Sequence, residues 1–197
     1  MLTLYQFPKS RSDSIVWLLE ELGAPYETKT VSIRRADGTG ERDPANPHPH
    51  GKVPALVHDG HLVFESGAIL LYLTDLFPQA GLGPVVGDPN RGEYLSWLAY
   101  RTGVIEPSLM MRRFEVKHVY GAMGWGPADE VEQVLNDTLK DRLYILGDKF
   151  SAADISVGGA VHYLMLMRIM KSTPVLKDYA ARITARPAFQ KLAEKAP

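Results

Sequence analysis

The residues best placed to do chemistry fall within one stretch, His50 to Leu73, reading HGKVPALVHDGHLVFESGAILLYL. Val53-Pro54 sits at the entrance to an apolar run, a place where a proline costs no sheet hydrogen bond. Glu65-Ser66 sits where a second apolar run gives way to helical spacing. A carboxylate, a hydroxyl and the orphan amides of a helix start therefore fall together. Such a helix start suits a carboxylate ligand, and an acidic side chain beside it suits an ammonium group. The simpler alternative makes Ser66 an N-cap and nothing more. His48 and His50 add no metal site, because Pro49 splits them and they lack nearby carboxylate ligands. Cysteine is absent, which excludes disulfides, thiolate metal sites and a cysteine nucleophile. Any thiol chemistry therefore needs a substrate that brings the sulfur.

These groups need elements to hold them. Ala55-Leu-Val-His58 and Leu62-Val-Phe-Glu65 are short apolar runs joined through Asp59-Gly60. That pair favours a type I′ hairpin turn, whose two central residues both take positive φ. After Ser66-Gly67, the positions Ile69, Leu70, Leu73, Leu76 and Phe77 recur at helical spacing. Upstream, Leu2 to Gln6 alternates as a strand, and Ile15, Leu18, Leu19 and Leu22 make an amphipathic helix ending at Gly23. Tyr26 to Ser32 reads as a second strand and Arg34 to His50 as a loop rich in Gly, Pro, Asp and Arg. The plan of strands and helices is complete only if a helical turn lies within that loop.

From Arg91 onward the signals are helical. Tyr94, Leu95, Trp97, Leu98 and Ile105 start a long helix, with Met110, Met111 and Phe114 beyond Pro107. Val131, Val134, Leu135, Leu139 and Leu143 predict a second. Ser151-Ala-Ala-Asp154 has the spacing of a capping box and precedes an apolar helix expected to run through Met170. Gly158-Gly159 inside it predicts close helix packing. Leu176, Tyr179, Ala180 and Ile183 predict a shorter helix, and Phe189 with Leu192 a last one. The expected division is an α/β domain over residues 1–78, a linker over 79–90 and an all-α domain over 91–197.

Gly51-Lys-Val-Pro-Ala-Leu56, followed by Glu65-Ser66 and Ile69-Leu-Leu-Tyr-Leu73, resembles the thiol-tripeptide site of cytosolic glutathione transferases. The Ser151-x-x-Asp154 start is similar to that family's buried helix. The resemblance implies a thioredoxin-like N-terminal domain and an all-helical C-terminal domain. It implies that the Val53-Pro54 bond is cis and that the Val53 backbone pairs with the cysteine of glutathione, as in strand addition by a short peptide. It assigns the γ-glutamyl end to Glu65 and Ser66, and the glycyl carboxylate to Lys52 and His50.

A transferase of this kind must stabilise a thiolate, because a free thiol has a pKa of ~8.5. The loop after the first strand supplies the hydroxyl donors. Alignment of the following helix with theta-like and bacterial members places Ser10 at the sulfur; Tyr5 and Ser12 are the alternatives, and Ser12 also reads as a plain N-cap. Ser14 stands where an arginine is common in bacterial relatives. The resemblance puts the second substrate between the domains, with Tyr100, Gly103, Met110, Met111 and Trp125 as candidate lining; methionine at helical spacing equally suits a core.

Length and composition agree with this class. The chain has 197 residues, 45% hydrophobic and 23% charged, enough to bury a real core. A formal net charge of −1 gives no reason to expect nucleic acid or an anionic membrane as partner. No apolar run reaches a membrane span and the N-terminus lacks a signal-like core, so a cytoplasmic location is expected. The expected activity is serine-type transfer of glutathione to a small electrophile, in a homodimer with glutathione as co-substrate and no metal. The alternatives are a glutathione-dependent peroxidase, isomerase or dehalogenase on the same site, or a non-catalytic protein binding glutathione or apolar ligands.

Overall fold

The computed structural model describes residues 1–194, with side chains through Leu192. Two compact units divide the chain: Met1–Ala80 together with the last helix, and Gly81–Arg186.

The first unit is built on a four-stranded mixed sheet in the order β2-β1-β3-β4. Its strands are β1 (Leu2–Gln6), β2 (Tyr26–Thr30), β3 (Ala55–His58) and β4 (His61–Phe64). β1 runs parallel to β2 and antiparallel to β3, and β3 and β4 form the hairpin. Asp59 and Gly60 take φ of 48° and 85°, the two positive values that the turn between these strands requires. Leu2 and Leu4 are buried on one face of β1, where α1 (Asp13–Leu22) and α2 (Ser66–Leu76) bring Ile15, Leu18, Leu19, Ile69, Leu70 and Leu73 into the core. Gly23 closes α1 at φ 60°, its N–H reaching Glu20 O. Leu76, expected with the buried positions of α2, is exposed instead.

No helix forms between β2 and β3, so the full alternating plan lacks that element. The segment is a loop laced by short polar side chains. Asp43 accepts from the Ser32 and Ala45 amides, and Asn46 donates to Lys52 O and accepts from the His48 amide. The sequence reading carries helices in one domain from 91 to 197, yet α8 (Pro187–Glu194) packs on α1 in the first unit. The Phe189 ring meets Trp17 edge-on at 4.9 Å, an aromatic contact that hydrophobic periodicity cannot assign to a partner.

The second unit is helical. α3 (Arg91–Tyr100) runs through a wide π-turn, Arg101–Ile105, into α4 (Glu106–Arg113). Pro107 has no N–H to offer the residue four before it, so the ladder loosens ahead of it, and the Glu106 amide bonds Arg101 O instead. Five-residue spacing also puts Arg101, which is buried, 2.9 Å from the Glu106 carboxylate. α5 (Ala128–Leu139) buries Val131, Leu135 and Leu139; Val134 is exposed and Leu143 lies beyond the helix on the surface.

Asp154 opens a second π-turn, Asp154–Gly158, which continues as α6 (Gly159–Leu166). This stretch ends short of the expected Met170, because Arg168 turns left-handed at φ 56° and the amides of Ile169 and Met170 fold back onto Leu164 O. A Cβ at Gly158 would lie 2.4 Å from Ile183 and 2.8 Å from the Tyr179 hydroxyl, so the close packing with α7 (Pro174–Thr184) requires glycine there.

Candidate functional site

The registers Tyr5↔Ala55 and Ala55↔Phe64 set the end of β1, the start of β3 and the end of β4 side by side. Three segments therefore leave the sheet at one end: the loop Phe7–Ser12, the approach Gly51–Pro54, and Glu65-Ser66 opening α2.

The Val53–Pro54 bond is cis, and Val53 is buried. Among the described residues, no hydrogen bond takes up the Val53 N–H or C=O. Glu65 adopts φ 70° and ψ 126°, a backbone conformation that a side chain rarely takes and that concentrates at functional sites. Its carboxylate is exposed and makes no cap bond to α2. Ser66 is 4% exposed, and among the described residues no hydrogen bond engages its hydroxyl. The Ser66 hydroxyl, which solvent reaches, and the unbonded amides at the helix start have the chemistry to receive an anion.

The β1–α1 corner is closed by contrast. Ser10 Oγ donates to Phe7 O at 2.5 Å, accepts from the Ser12 amide at 3.2 Å, and lies 2.7 Å from Ser12 Oγ. Ser12 is fully buried at the N-cap position of α1, but it has helical φ and ψ and makes no side-chain cap bond. The plain N-cap reading of Ser12 is therefore corrected. Its hydroxyl turns back to accept from the Phe7 amide at 3.1 Å and donate to Phe7 O at 2.9 Å. Asp13 follows at the first position of α1; burial pushes its carboxyl up to about 6, against the Ser10 and Lys9 backbone bonds that pull it down. Tyr5 lies on the sheet face opposite Leu2 and Leu4, where Lys29 of β2 donates to its hydroxyl at 3.5 Å.

Residues 1–75 match the family model for the glutathione S-transferase N-terminal domain, and residues 122–187 that for the C-terminal domain. The chain belongs to the glutathione S-transferase family. It is 29% identical over 196 residues to a glutathione S-transferase of Hyoscyamus muticus, covering 91% of each chain. Among solved structures, it is similar to a glutathione transferase of Methylococcus capsulatus, at 26% identity and TM-score 0.80 over 98% of both chains. A sphingomonad glutathione S-transferase complexed with glutathione aligns at 26% identity and TM-score 0.78, over 98% of this chain and 97% of that one.

Within this transferase fold, Lys52 and His50 are exposed on the approach to β3. Sequence reasoning missed two neighbours. Arg42 lays its side chain over Gly51, where a Cβ would lie 2.6 Å from the arginine Cγ. His48 is buried against the Phe64 ring and accepts from the His50 amide through Nδ1; burial first, then nearby cations, hold its pKa below the usual histidine value, with Glu65 opposing. The Asp43-Pro-Ala-Asn46-Pro47-His48 run was the available signal, since Asp and Asn before or near proline organise loops through their own backbone.

In the second unit, Tyr100 is half-buried and burial raises its pKa. Gly103 is exposed on the π-turn, with open space where a Cβ would stand. Met110 and Met111 are half-buried on α4, and Met111 Sδ accepts from Trp125 Nε1 at 3.3 Å. Among the described residues no helix is long and apolar enough to cross a membrane.

Proposed function

We propose that the protein is a glutathione S-transferase that binds glutathione at the open end of its sheet and presents the thiolate to a small electrophile. The observation that carries this reading is the convergence there of the unpaired Val53 backbone, the unengaged Ser66 hydroxyl and the Phe7–Ser12 corner. Val53 pairs with the cysteinyl backbone of glutathione; Ser66 and the first amides of α2 take the γ-glutamyl carboxylate, and Glu65 its ammonium. Lys52, His50 and Arg42 take the glycyl carboxylate. Ser10 donates to the sulfur and the positive end of α1 adds to it, lowering the thiol pKa. Tyr5 is the alternative donor: its oxygen accepts from Lys29 at 3.5 Å, which leaves its own proton to give.

Residues 1–78 serve as the glutathione-binding domain, with α8 packed on it, 79–90 as linker and the helices α3 to α7 as the second domain. Tyr100, Gly103, Met110 and Met111 meet the electrophile. Exposed Leu76 on α2 and Leu95 on α3 support a C2 homodimer through those helices, of about twice 21.9 kDa; light scattering giving only monomer at micromolar concentration rejects it. With no cysteine, chemistry that needs a protein thiol falls away. Turnover of a generic aryl halide with glutathione tests the activity. Tight glutathione binding without turnover of any electrophile would leave a binding protein instead.

A further inference from the structure

The corner that carries Ser10 holds a second hydroxyl that the reaction, as read above, does not use. Ser12 is fully buried, yet its oxygen makes no cap bond to the helix it precedes. It stands between the Phe7 backbone and Ser10. The Phe7 amide donates to Ser12 Oγ at 3.1 Å, and the Ser12 proton has two acceptors in reach, Phe7 O at 2.9 Å and Ser10 Oγ at 2.7 Å. Ser10 Oγ meanwhile accepts the Ser12 amide at 3.2 Å and gives its own proton to Phe7 O at 2.5 Å.

We propose that Ser12 is a positioning residue that converts Ser10 from an internally satisfied hydroxyl into a polarised donor facing the glutathione sulfur. The inference rests on Ser10 being the thiolate donor. With a thiolate present, Ser10 turns its proton from Phe7 O to the sulfur, and Ser12 turns its own proton to Ser10 Oγ. The donors then point one way, from Phe7 N–H through Ser12 Oγ–H and Ser10 Oγ–H to the sulfur. No covalent bond changes; two hydroxyl rotors turn. Hydrogen bonds aligned in a chain strengthen one another, and the Ser12 amide and hydroxyl together hold the Ser10 oxygen in place while its proton faces outward. A backbone amide anchors the chain, so the device needs no ionisable group. Burial of Ser12 keeps water from replacing the donor it supplies to Ser10.

The test is ultraviolet titration of the thiolate in saturating glutathione for Ser10→Ala, Ser12→Ala, Ser12→Thr and the Ser10→Ala/Ser12→Ala double variant. Ser12→Ala is expected to cut the bound thiolate fraction at neutral pH about three- to tenfold, less than Ser10→Ala. In the Ser10→Ala background the same change is expected to add nothing, because Ser12 acts only through Ser10. Ser12→Thr, which keeps the hydroxyl, is expected to restore most of the thiolate. A merely structural Ser12 would lower the melting temperature and leave the bound thiol pKa alone, and that result overturns the proposal. An equal shift on both backgrounds overturns it too. Should Ser12→Ala fail to fold, Ser12→Cys keeps the size with a weaker donor, and an unchanged thiolate fraction there is the contrary result. If Ser10→Ala itself leaves the thiol pKa unmoved, it is the serine reading that fails.

Discussion

Two buried helix starts, one in each unit, treat their polar groups in opposite ways. Ahead of α6, both oxygens of Asp154 are saturated: Oδ1 accepts from the Ile145 amide and the Tyr179 hydroxyl, Oδ2 from the Ser151 amide and hydroxyl. Burial pushes its carboxyl pKa up while those donors pull it down, and the same burial, with the carboxylate beside it, raises Tyr179 well above the ordinary tyrosine value. At α2, Ser66 is almost as buried but its hydroxyl is unengaged among the described residues, and Glu65 before it holds a strained backbone. Solvent reaches the Ser66 oxygen, so water satisfies it in the free protein and a ligand can take the water's place. Asp154 serves the fold; in the proposed function Ser66 serves a ligand.

Substitutions at the two sites should separate stability from binding. The largest effect is expected for Asp154→Ala, which leaves buried donors without an acceptor. It should lower unfolding free energy by at least about 3 kcal/mol in urea melts, and a loss under about 1 kcal/mol would mean that these bonds do not tie the helices together. Ser10→Ala should bind glutathione nearly normally while kcat/KM at neutral pH falls roughly ten- to a hundredfold, the worth of a hydrogen bond to a charged group. That deficit should shrink as pH rises and hydroxide ionises the thiol. Ser66→Ala should weaken glutathione binding at least about tenfold by calorimetry with the melting temperature unchanged, the reverse of the Asp154 pattern. Unchanged affinity in the folded variant would remove Ser66 from the site.

The smallest effect is expected at Asp13. Its carboxyl is raised to about 6 in the folded chain from 3.8, so folding favours the neutral form. The stability it contributes is complete below about pH 4 and is lost as pH rises through about 6. Asp13→Asn should therefore stabilise the protein at pH 7.5 by about 1 kcal/mol, after allowing for solvent screening of a half-exposed group, and give no gain near pH 4. A gain that is constant with pH would mean that Asp13 is not destabilised by burial.

The contrast between the helix starts also marks how far the sequence could be read. Local rules reached the hairpin turn at Asp59-Gly60, because only positive φ at both residues fits it, and the Ser151-x-x-Asp154 cap, because its spacing sets the geometry. They reached Glu65-Ser66 as a helix start but not its missing partners, since an unengaged hydroxyl leaves no trace in residue order. Ser12 was legible as an N-cap by type and position; its choice of Phe7 instead depends on a loop folding back five residues. Val134 and Leu143 fit a helical period and are exposed, because periodicity identifies apolar residues and not what covers them. The end of α6 at Leu166 turns on a left-handed Arg168, a conformation that no residue-type preference predicts for arginine.

The proposed function puts glutathione at the open end of the sheet with its sulfur at Ser10. A crystal structure of the protein soaked with glutathione tests it most directly. The expected complex has the cysteinyl backbone paired with Val53, the γ-glutamyl carboxylate on Ser66 and the start of α2, and the sulfur within hydrogen-bond distance of Ser10 Oγ. Glutathione bound there with its sulfur against Tyr5, or bound away from Val53 and Ser66 altogether, would contradict it.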